Sequence, residues 1–367
     1  MDEHAKVTAQ REGSLGMLTL DAPATLNSLT LDMVDQLQTA LDNWANDDEV
    51  KAVFIHASGE KAFCAGGDVQ ALYRSAIETP GGPCQYAEEF FAREYRMNFS
   101  LHQYGKPLIV WGHGIVMGGG LGIFAGCSHK VVTERTRFAM PEITIALFPD
   151  VGGSYFLNRM PDNIGRFLGL TAANFNGNDG LYAGFADVML PHESKQAVLD
   201  AMASMEWQAD STANGELVTQ CLRDMAGTIE CNADAGFIES RLADINALCN
   251  GDSQALYQNF VELETEDKWL SKARDGILHG SPLALLWIDR QLEISREMNL
   301  AEVFNSELLL GTNIVRHPEF AEGVRALLID KDRNPQWQFK SLAEVPSVLL
   351  DSFFETPWPE NPLADLL

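Results

Sequence analysis

The chain has 367 residues, of which 46% are hydrophobic and 21% are charged, a composition typical of a globular protein. Its 26 basic and 52 acidic side chains give a formal net charge of −26. This acidic excess disfavours binding to nucleic acid or to an anionic membrane surface, because both need clustered positive charge. The amino end lacks an apolar signal segment and no run of about 18 apolar residues occurs, so we expect a cytoplasmic protein. Six cysteines without a C-x-x-C pair predict free thiols rather than disulfides or a zinc site.

The first half of the chain alternates short β-rich runs with helical patterns. Strands are predicted at residues 16–21, 50–56, 107–112 and 129–133. Thr30 is placed to cap a helix in which apolar residues recur about every 3.6 positions. Strands that alternate with helices pair in parallel through crossover connections, so this half predicts an α/β fold.

Beyond Pro191 the pattern is almost entirely helical. Helices are predicted at residues 195–205, 216–225, 239–248, 255–263 and 283–298, followed by one more helix and a proline-punctuated tail from residue 300. Ser281 and Pro282 give a start signal, a hydroxyl cap before a proline at the first helical position. We therefore predict an α/β core over residues 1–205 and a mostly helical region over residues 206–367 that packs on it.

Two glycine-rich turns each follow a predicted strand and open a helix. The first lies in residues 61–69 (KAFCAGGDV) and the second in residues 112–122 (GHGIVMGGGLG). An amide at the start of a helix carries partial positive charge, which suits an oxygen that becomes negative. Either turn alone is also explained by a tight β–α connection or by close helix–strand packing. Together they predict that each turn supplies one donor to a single carbonyl oxygen.

Two carboxylates lie in an apolar segment further along the chain, residues 140–154 (MPEITIALFPDVGGS). Glu142 and Asp150 are eight positions apart, and each follows a proline. Apolar surroundings and a second carboxylate raise proton affinity, so these groups are suited to exchange protons or to attack an acyl carbon. The alternative is that each caps a turn or a helix, and this alternative is strongest for Asp150.

The order and content of these segments resemble the crotonase (enoyl-CoA hydratase/isomerase) superfamily, whose members hold a thioester oxygen with two backbone amides. Residues 26–29 (LNSL), the KAFCAGGDV turn, the MGGGLG helix start and the MPE segment carry the resemblance. It implies a spiral core of repeated ββα units with an appended helical region. It also implies Gly67 and Gly119 as the two oxyanion donors.

The same resemblance assigns substrate contacts to the two turns. It implies that residues 62–66, through backbone contacts, line the groove for the adenine and pantetheine of coenzyme A. The individual residues so assigned are Ala62, Ala65, Gly66 and Gly118.

Within the superfamily, the carboxylate pattern resembles the 3-hydroxyisobutyryl-CoA hydrolase branch. Hydratases of this fold use a glutamate where this chain has Gly122, and they typically have glycine where this chain has Asp150. The branch pairs an aspartate at this position with the glutamate of the MPE segment, here Glu142. Glu94, in FFAREYRMN, matches a further acidic residue near the acyl group, although the same pattern also fits a solvated glutamate on an amphipathic helix. Ala146 and Ser154 replace glycines of the branch.

The resemblance continues through HPEFAEGVRALLIDKDRNPQW and so covers nearly the whole chain. It implies hydrolysis of 3-hydroxyisobutyryl-CoA to 3-hydroxyisobutyrate and CoA, a step of valine catabolism, without a metal or a cofactor beyond the CoA of the substrate. A hydratase or isomerase that uses Glu94 or Asp150 as its second acid remains an alternative, as does a non-catalytic acyl-CoA-binding scaffold. The acyl preference, a covalent anhydride against direct attack by water, and possible homo-oligomer formation stay open.

Two basic residues near the carboxyl end have two interpretations. Arg325 and Lys331 could contact a CoA phosphate or form ion pairs with Asp330 and Asp332. The acidic neighbours in the sequence favour the ion pairs. His113, which lies between two glycines, is predicted to be structural.

Overall fold

The computed structural model describes residues 6–367, which divide into two compact units, each built from three separate segments of chain. Unit 1 comprises the residues up to Gly67 together with Met97–Phe138 and Phe175–Glu239. Unit 2 comprises Asp68–Arg96, Ala139–Asn174 and Ser240–Leu367. The chain passes repeatedly between the units before residue 205. The division predicted at residue 205 stays a prediction.

The β-structure forms a six-stranded sheet and a four-stranded sheet. Within residues 6–367 the strands are β1 (Lys6–Glu12), β2 (Leu15–Asp21), β3 (Ala52–Ala57), β4 (Ala62–Cys64), β5 (Leu108–Gly112), β6 (Ile115–Met117), β7 (His129–Val132), β8 (Arg137–Ala139), β9 (Phe175–Asn176) and β10 (Val188–Met189). The larger sheet has the order β1-β2-β3-β5-β7-β10 and the smaller has the order β4-β6-β8-β9. In the successive pairs β3–β4, β5–β6 and β7–β8, the first strand joins the larger sheet and the second joins the smaller. This repeat confirms the predicted α/β fold.

The four predicted strands are present as β2, β3, β5 and β7. These strands and β10 pair in parallel. Every residue of β5 is buried, which is typical of parallel strands that are covered on both faces. The sequence does not predict β1, which pairs antiparallel with β2 and is polar and mostly exposed.

The α-helices supply most of the remaining structure. Within residues 6–367 they are α1 (Leu31–Ala45), α2 (Val69–Glu78), α3 (Gln85–His102), α4 (Gly119–Gly126), α5 (Gly153–Leu157), α6 (Ile164–Thr171), α7 (Gly177–Tyr182), α8 (Lys195–Ala203), α9 (Ser211–Thr228), α10 (Leu242–Leu248), α11 (Ser253–Val261), α12 (Lys268–His279), α13 (Pro282–Ile294), α14 (Leu300–Val315), α15 (Pro318–Val324) and α16 (Ser347–Ser352). The preponderance of helix after residue 191 confirms the predicted helical carboxyl-terminal region.

Helix starts follow the capping residues that the sequence supplies. The hydroxyl of Thr30 accepts the amide of Met33 at 3.2 Å at the start of α1, as predicted. The hydroxyl of Ser281 likewise accepts the amide of Ala284 at 3.2 Å at the start of α13. The sequence analysis missed α12, although Asp267 caps it by accepting two amides of its first turn. Within residues 6–367, no helix combines the length and the apolar character needed to cross a membrane.

Candidate active site

The first glycine turn, between β4 and α2, is braced by the LNSL segment within unit 1. The amide of Ala65 donates to the carbonyl of Leu26 at 3.1 Å, and the amide of Leu29 donates to the carbonyl of Gly66 at 2.8 Å. Gly67 continues this contact as an isolated parallel bridge with Leu29. The path of the backbone through the predicted donor Gly67 is therefore set by main-chain bonds.

Asn27 fixes the other end of the same turn. Its buried side chain accepts the amide of Ala22 at 2.8 Å and donates to the carbonyls of Ser58 and Ala62, each at 3.0 Å. Both polar ends of the amide group are thus satisfied inside the protein, which stabilises the start of β4. The resemblance of this segment to the family has a physical basis, since Asn27 connects three separate stretches of chain.

The second glycine turn lies beside the first. Gly66 has φ +112°, and a Cβ atom placed on it would lie 3.9 Å from the amide nitrogen of Gly119. A Cβ on Gly120 would lie 2.5 Å from the carbonyl oxygen of Cys64, so α4 begins directly against β4 only because this position has no side chain. Gly119 is the first residue of α4, and its amide therefore has no carbonyl partner within the helix. The two turns that the sequence singled out are neighbours in unit 1.

The predicted carboxylates Glu94, Glu142 and Asp150 all lie in unit 2 and are buried. Their exposed fractions are 2%, 4% and 5%, respectively. Glu94 lies on α3, Glu142 begins a short 3-10 turn over Glu142–Ile145, and Asp150 precedes α5. The solvated alternative for Glu94 is therefore wrong, because its side chain faces the interior of the unit.

Burial and mutual repulsion raise the proton affinity of this group of carboxylates. Burial raises the pKa of Glu94 and of Glu142 well above the ordinary range, and the neighbouring charge of Asp150 raises both further. Burial also raises the pKa of Asp150 to about 6, although the hydrogen bond from Tyr95 opposes this shift. Three carboxyl groups that titrate well above their usual range in one place are typical of acid–base or nucleophilic sites.

Two oxygens of this group lack a hydrogen-bond donor within residues 6–367. They are Oε1 of Glu94 and Oε2 of Glu142. A buried carboxylate oxygen without a donor costs free energy, so such oxygens are suited to a ligand hydroxyl or a water molecule.

The capping alternative for Asp150 is not the arrangement observed. The N-cap of α5 is Gly152, which has no side chain, and no side-chain bond caps the helix. The carboxylate of Asp150 instead accepts the hydroxyl of Tyr95 at 2.6 Å, across 55 positions of sequence. No side-chain bond caps the turn that begins at Glu142 either.

Tyr95 and Glu307 contact this region, and the sequence analysis did not identify them. Glu307 lies on α14, is completely buried, and accepts the amides of Gly152 at 2.7 Å and Ser154 at 2.9 Å. Tyr95 follows Glu94 on α3, and its exposure is likewise zero. The sequence did contain one signal for Glu307. This acidic residue lies on the same side of the helix as the apolar residues Phe304 and Leu308, which are buried.

The predictions for His113 and Arg325 are confirmed, whereas Lys331 forms no ion pair within residues 6–367. His113 is buried, and its Nε2 atom lies 2.9 Å from the carbonyl oxygen of Gly59, a structural contact. Arg325 forms ion pairs with Asp330 at 2.6 Å and with Asp332 at 2.8 Å.

Comparisons with known proteins identify the family. The family model described as enoyl-CoA hydratase/isomerase matches residues 15–354. The chain is 33% identical to the mitochondrial 3-hydroxyisobutyryl-CoA hydrolase of Gallus gallus, over 96% of this chain and 90% of the relative. It is 32% identical to the small ribosomal subunit protein mS47 of Neurospora crassa, over 100% of this chain and 74% of the relative.

A solved structure agrees with this assignment. The crystal structure of an enoyl-CoA hydratase from Rhodobacter sphaeroides superposes with a TM-score of 0.84 at 30% identity, covering 96% of this chain and 97% of that chain. Both the sequence matches and the fold therefore extend over nearly the full length of the protein. The chain belongs to the crotonase (enoyl-CoA hydratase/isomerase) family.

Proposed function

We propose that the protein is an acyl-CoA thioester hydrolase whose preferred substrate is 3-hydroxyisobutyryl-CoA. The observation that carries the proposal is the buried Glu142, which has an oxygen without a donor and the second carboxylate Asp150 acting on its pKa. A pair of this kind delivers attack on an acyl carbon. The name of the Gallus gallus relative supports the same chemistry.

In the proposed mechanism, main-chain amides stabilise charge and a carboxylate delivers the attack. The amides of Gly67 and Gly119 donate to the thioester carbonyl oxygen, and each contributes a factor of about 10²–10³ because charge grows on that oxygen only in the transition state. Glu142 either attacks the carbonyl carbon to form an anhydride, which water then hydrolyses, or removes a proton from the attacking water. The C–S bond breaks and CoA leaves as its thiolate, which takes up a proton.

The acyl group is selected by Glu94. Its unpartnered, buried Oε1 accepts the 3-hydroxyl of the acyl chain in the proposed complex. An analogue without that hydroxyl leaves the oxygen unpaired, which lowers kcat/KM. Asp150 either orients the water molecule or, by raising the pKa of Glu142, makes the ionised Glu142 a stronger base and nucleophile.

Hydration is the weaker candidate. The position of the first catalytic glutamate of hydratases is occupied by Gly122, which lies inside α4 and has no side chain to move a proton. The non-catalytic alternative is weakened by the cost of burying Glu142 and Asp150, which binding alone does not require. A cytoplasmic location, homo-oligomer formation and independence from a cofactor stay predictions.

Release of free CoA tests the proposal. The wild-type protein is incubated with 3-hydroxyisobutyryl-CoA, 3-hydroxypropionyl-CoA, isobutyryl-CoA and crotonyl-CoA, with a thiol reagent and enoyl absorbance as the two readouts. We expect CoA release from the hydroxylated esters and no loss of enoyl absorbance. No CoA release from any ester, or rapid hydration of crotonyl-CoA, would reject the hydrolase assignment. Single-turnover hydrolysis in labelled water then tests the anhydride route, because label enters Glu142 only when water attacks the Glu142 carbon of that anhydride.

A further inference from the structure

The turn that follows Asp150 has a strained backbone. Val151 has φ +56° and Gly152 has φ +84°. The left-handed region costs glycine little, but a β-branched residue such as Val151 is rarely found there. Strain of this kind persists only where the surrounding structure holds it, and it is concentrated at functional sites.

Glu307 is the group that holds this turn from α14. Its two oxygens accept the amides of Gly152 at 2.7 Å and Ser154 at 2.9 Å, so one carboxylate bridges both sides of Gly153. The ring of Phe304, one turn earlier on the same helix, lies 3.2 Å from the position of a Cβ on Gly152. The amide of Gly153 donates to the carbonyl of Asp150 at 2.7 Å and closes the turn.

The carboxylate of Asp150 is fixed from a second direction. Tyr95 donates its hydroxyl to Oδ2 at 2.6 Å, and its ring packs against Phe304 with centroids 6.1 Å apart. Glu307, which lies on α14, thus holds the backbone that follows Asp150. Tyr95, which packs against α14, holds the side chain of Asp150.

We propose that Glu307 is a positioning residue for Asp150, because it holds the strained turn in the one conformation that keeps the Asp150 carboxylate at the bond with Tyr95. Glu307 does not touch the substrate in this proposal, and it acts through residues 151–154. The inference rests on the proposed function, since the contribution of Asp150 is measured as the rate of thioester hydrolysis.

Burial and hydrogen bonding act on the Glu307 carboxyl group in opposite directions. Burial raises the pKa of Glu307 to about 8, whereas the amide donors of Gly152 and Ser154 and the Ser154 hydroxyl favour the ionised form. The charge of Asp150 acts in the same direction as burial.

The test is Glu307→Gln, which preserves size and removes one acceptor. We expect kcat to fall by about 10- to 100-fold while KM changes by less than about threefold, because a small displacement of a reacting group has this cost. The acid limb of kcat should also move to higher pH, since a loosened turn weakens the hydrogen bond from Tyr95 that lowers the pKa of Asp150. Amide hydrogen exchange at residues 152–154 should become faster than in the wild type.

Val151→Gly makes the test specific to strain. Glycine adopts the left-handed conformation of this residue without the steric cost, so the turn needs the clamp less. We therefore expect the loss in kcat caused by Glu307→Gln to be smaller when Val151→Gly is also present. Equal losses in the two backgrounds would contradict the strain-holding role.

Asp179→Asn is the matched control. Asp179 is a buried carboxylate of unit 1 that also accepts two backbone amides, from Asn176 at 2.9 Å and from Ile238 at 2.8 Å. Its loss should lower Tm by a similar amount without moving the pH profile of kcat.

The outcomes distinguish failure of the proposed function from failure of the positioning role of Glu307. If the wild type releases no CoA from any ester, the proposed function fails, whereas faster exchange at residues 152–154 in Glu307→Gln still supports the clamp. If the wild type is active and Glu307→Gln keeps its kcat and pH profile, the positioning role is overturned. If Glu307→Gln does not fold, Glu307→Asp, which is one methylene shorter, takes its place, and wild-type kcat in that variant overturns the proposal.

Discussion

The two units present their functional groups in different ways. In unit 1 the candidate groups are main-chain amides at Gly67 and Gly119, held in turns that are braced by other main-chain atoms and by Asn27. In unit 2 they are carboxyl side chains from α3, the Glu142–Ile145 turn and the loop before α5, and their properties come from burial and from one another. Substitution should therefore impair unit 1 through the loss of a backbone amide hydrogen, and unit 2 through the loss of an ionisable carboxyl group.

The largest expected effect comes from the carboxylate that delivers the attack. Glu142→Gln keeps the shape of the side chain but removes its nucleophilicity and its ability to accept a proton. We expect kcat for 3-hydroxyisobutyryl-CoA to fall by about 10³-fold or more with little change in KM. Steady-state CoA release with isothermal titration of the substrate measures both. Unchanged turnover would remove Glu142 from the mechanism.

The corresponding test in unit 1 removes an amide hydrogen without removing a side chain. Gly119→Pro suits the first position of a helix, where proline is tolerated, and it deletes the proposed donor. We expect kcat to fall by about 10²–10³-fold. Gly119→Ala adds a Cβ but retains the amide, and it is the control for bulk. If the alanine and proline variants are equally impaired, the effect is steric and the donor role is not supported.

The sequence predicted unit 1 better than unit 2 for a physical reason. A turn such as KAFCAGGDV contains its own glycines and its own helix start, so its conformation is encoded locally. Glu307 and Tyr95 contact the region around Asp150 across 155 and 55 positions of sequence, and no local pattern indicates such pairs. The three-residue strands β4, β6 and β8 were likewise missed, because three residues do not establish a period.

An intermediate effect is expected from Tyr95→Phe. This variant tests whether the ionisation of Asp150 in unit 2 depends on a hydrogen bond from an uncharged neighbour. The hydroxyl of Tyr95 lowers the pKa of Asp150, which burial raises to about 6. Without the hydroxyl group the pKa of Asp150 rises. Asp150 is then protonated at a higher pH, and the activity that requires its ionised form is lost at that higher pH. We expect kcat near neutral pH to fall on the order of tenfold, with the acid limb shifted upward.

Tyr104→Phe is the matched control for this measurement. Tyr104 belongs to unit 1, and its hydroxyl donates to the carbonyl of Leu41 at 3.0 Å. Its removal should change stability and leave the pH profile in place. A downward shift of the acid limb in Tyr95→Phe would contradict the assigned role of the hydroxyl.

The smallest expected effect concerns stability, and it tests whether burial of a carboxyl group in unit 2 lowers the free energy of unfolding. Glu94 is buried, and its pKa is raised in the folded protein, so its contribution favours folding at pH values below its unfolded pKa and is lost as the pH rises through the folded value. At higher pH the buried carboxyl group therefore lowers the free energy of unfolding, and Glu94→Gln removes this penalty. We expect its Tm to exceed that of the wild type by a few °C at pH 8, and the difference to shrink towards pH 4. Thermal unfolding at both pH values checks the sign, and a difference independent of pH would mean that Glu94 titrates normally. The same variant should show a smaller preference for hydroxylated over deoxy acyl groups, because the side-chain amide of glutamine replaces one of the two acceptor oxygens with a donor.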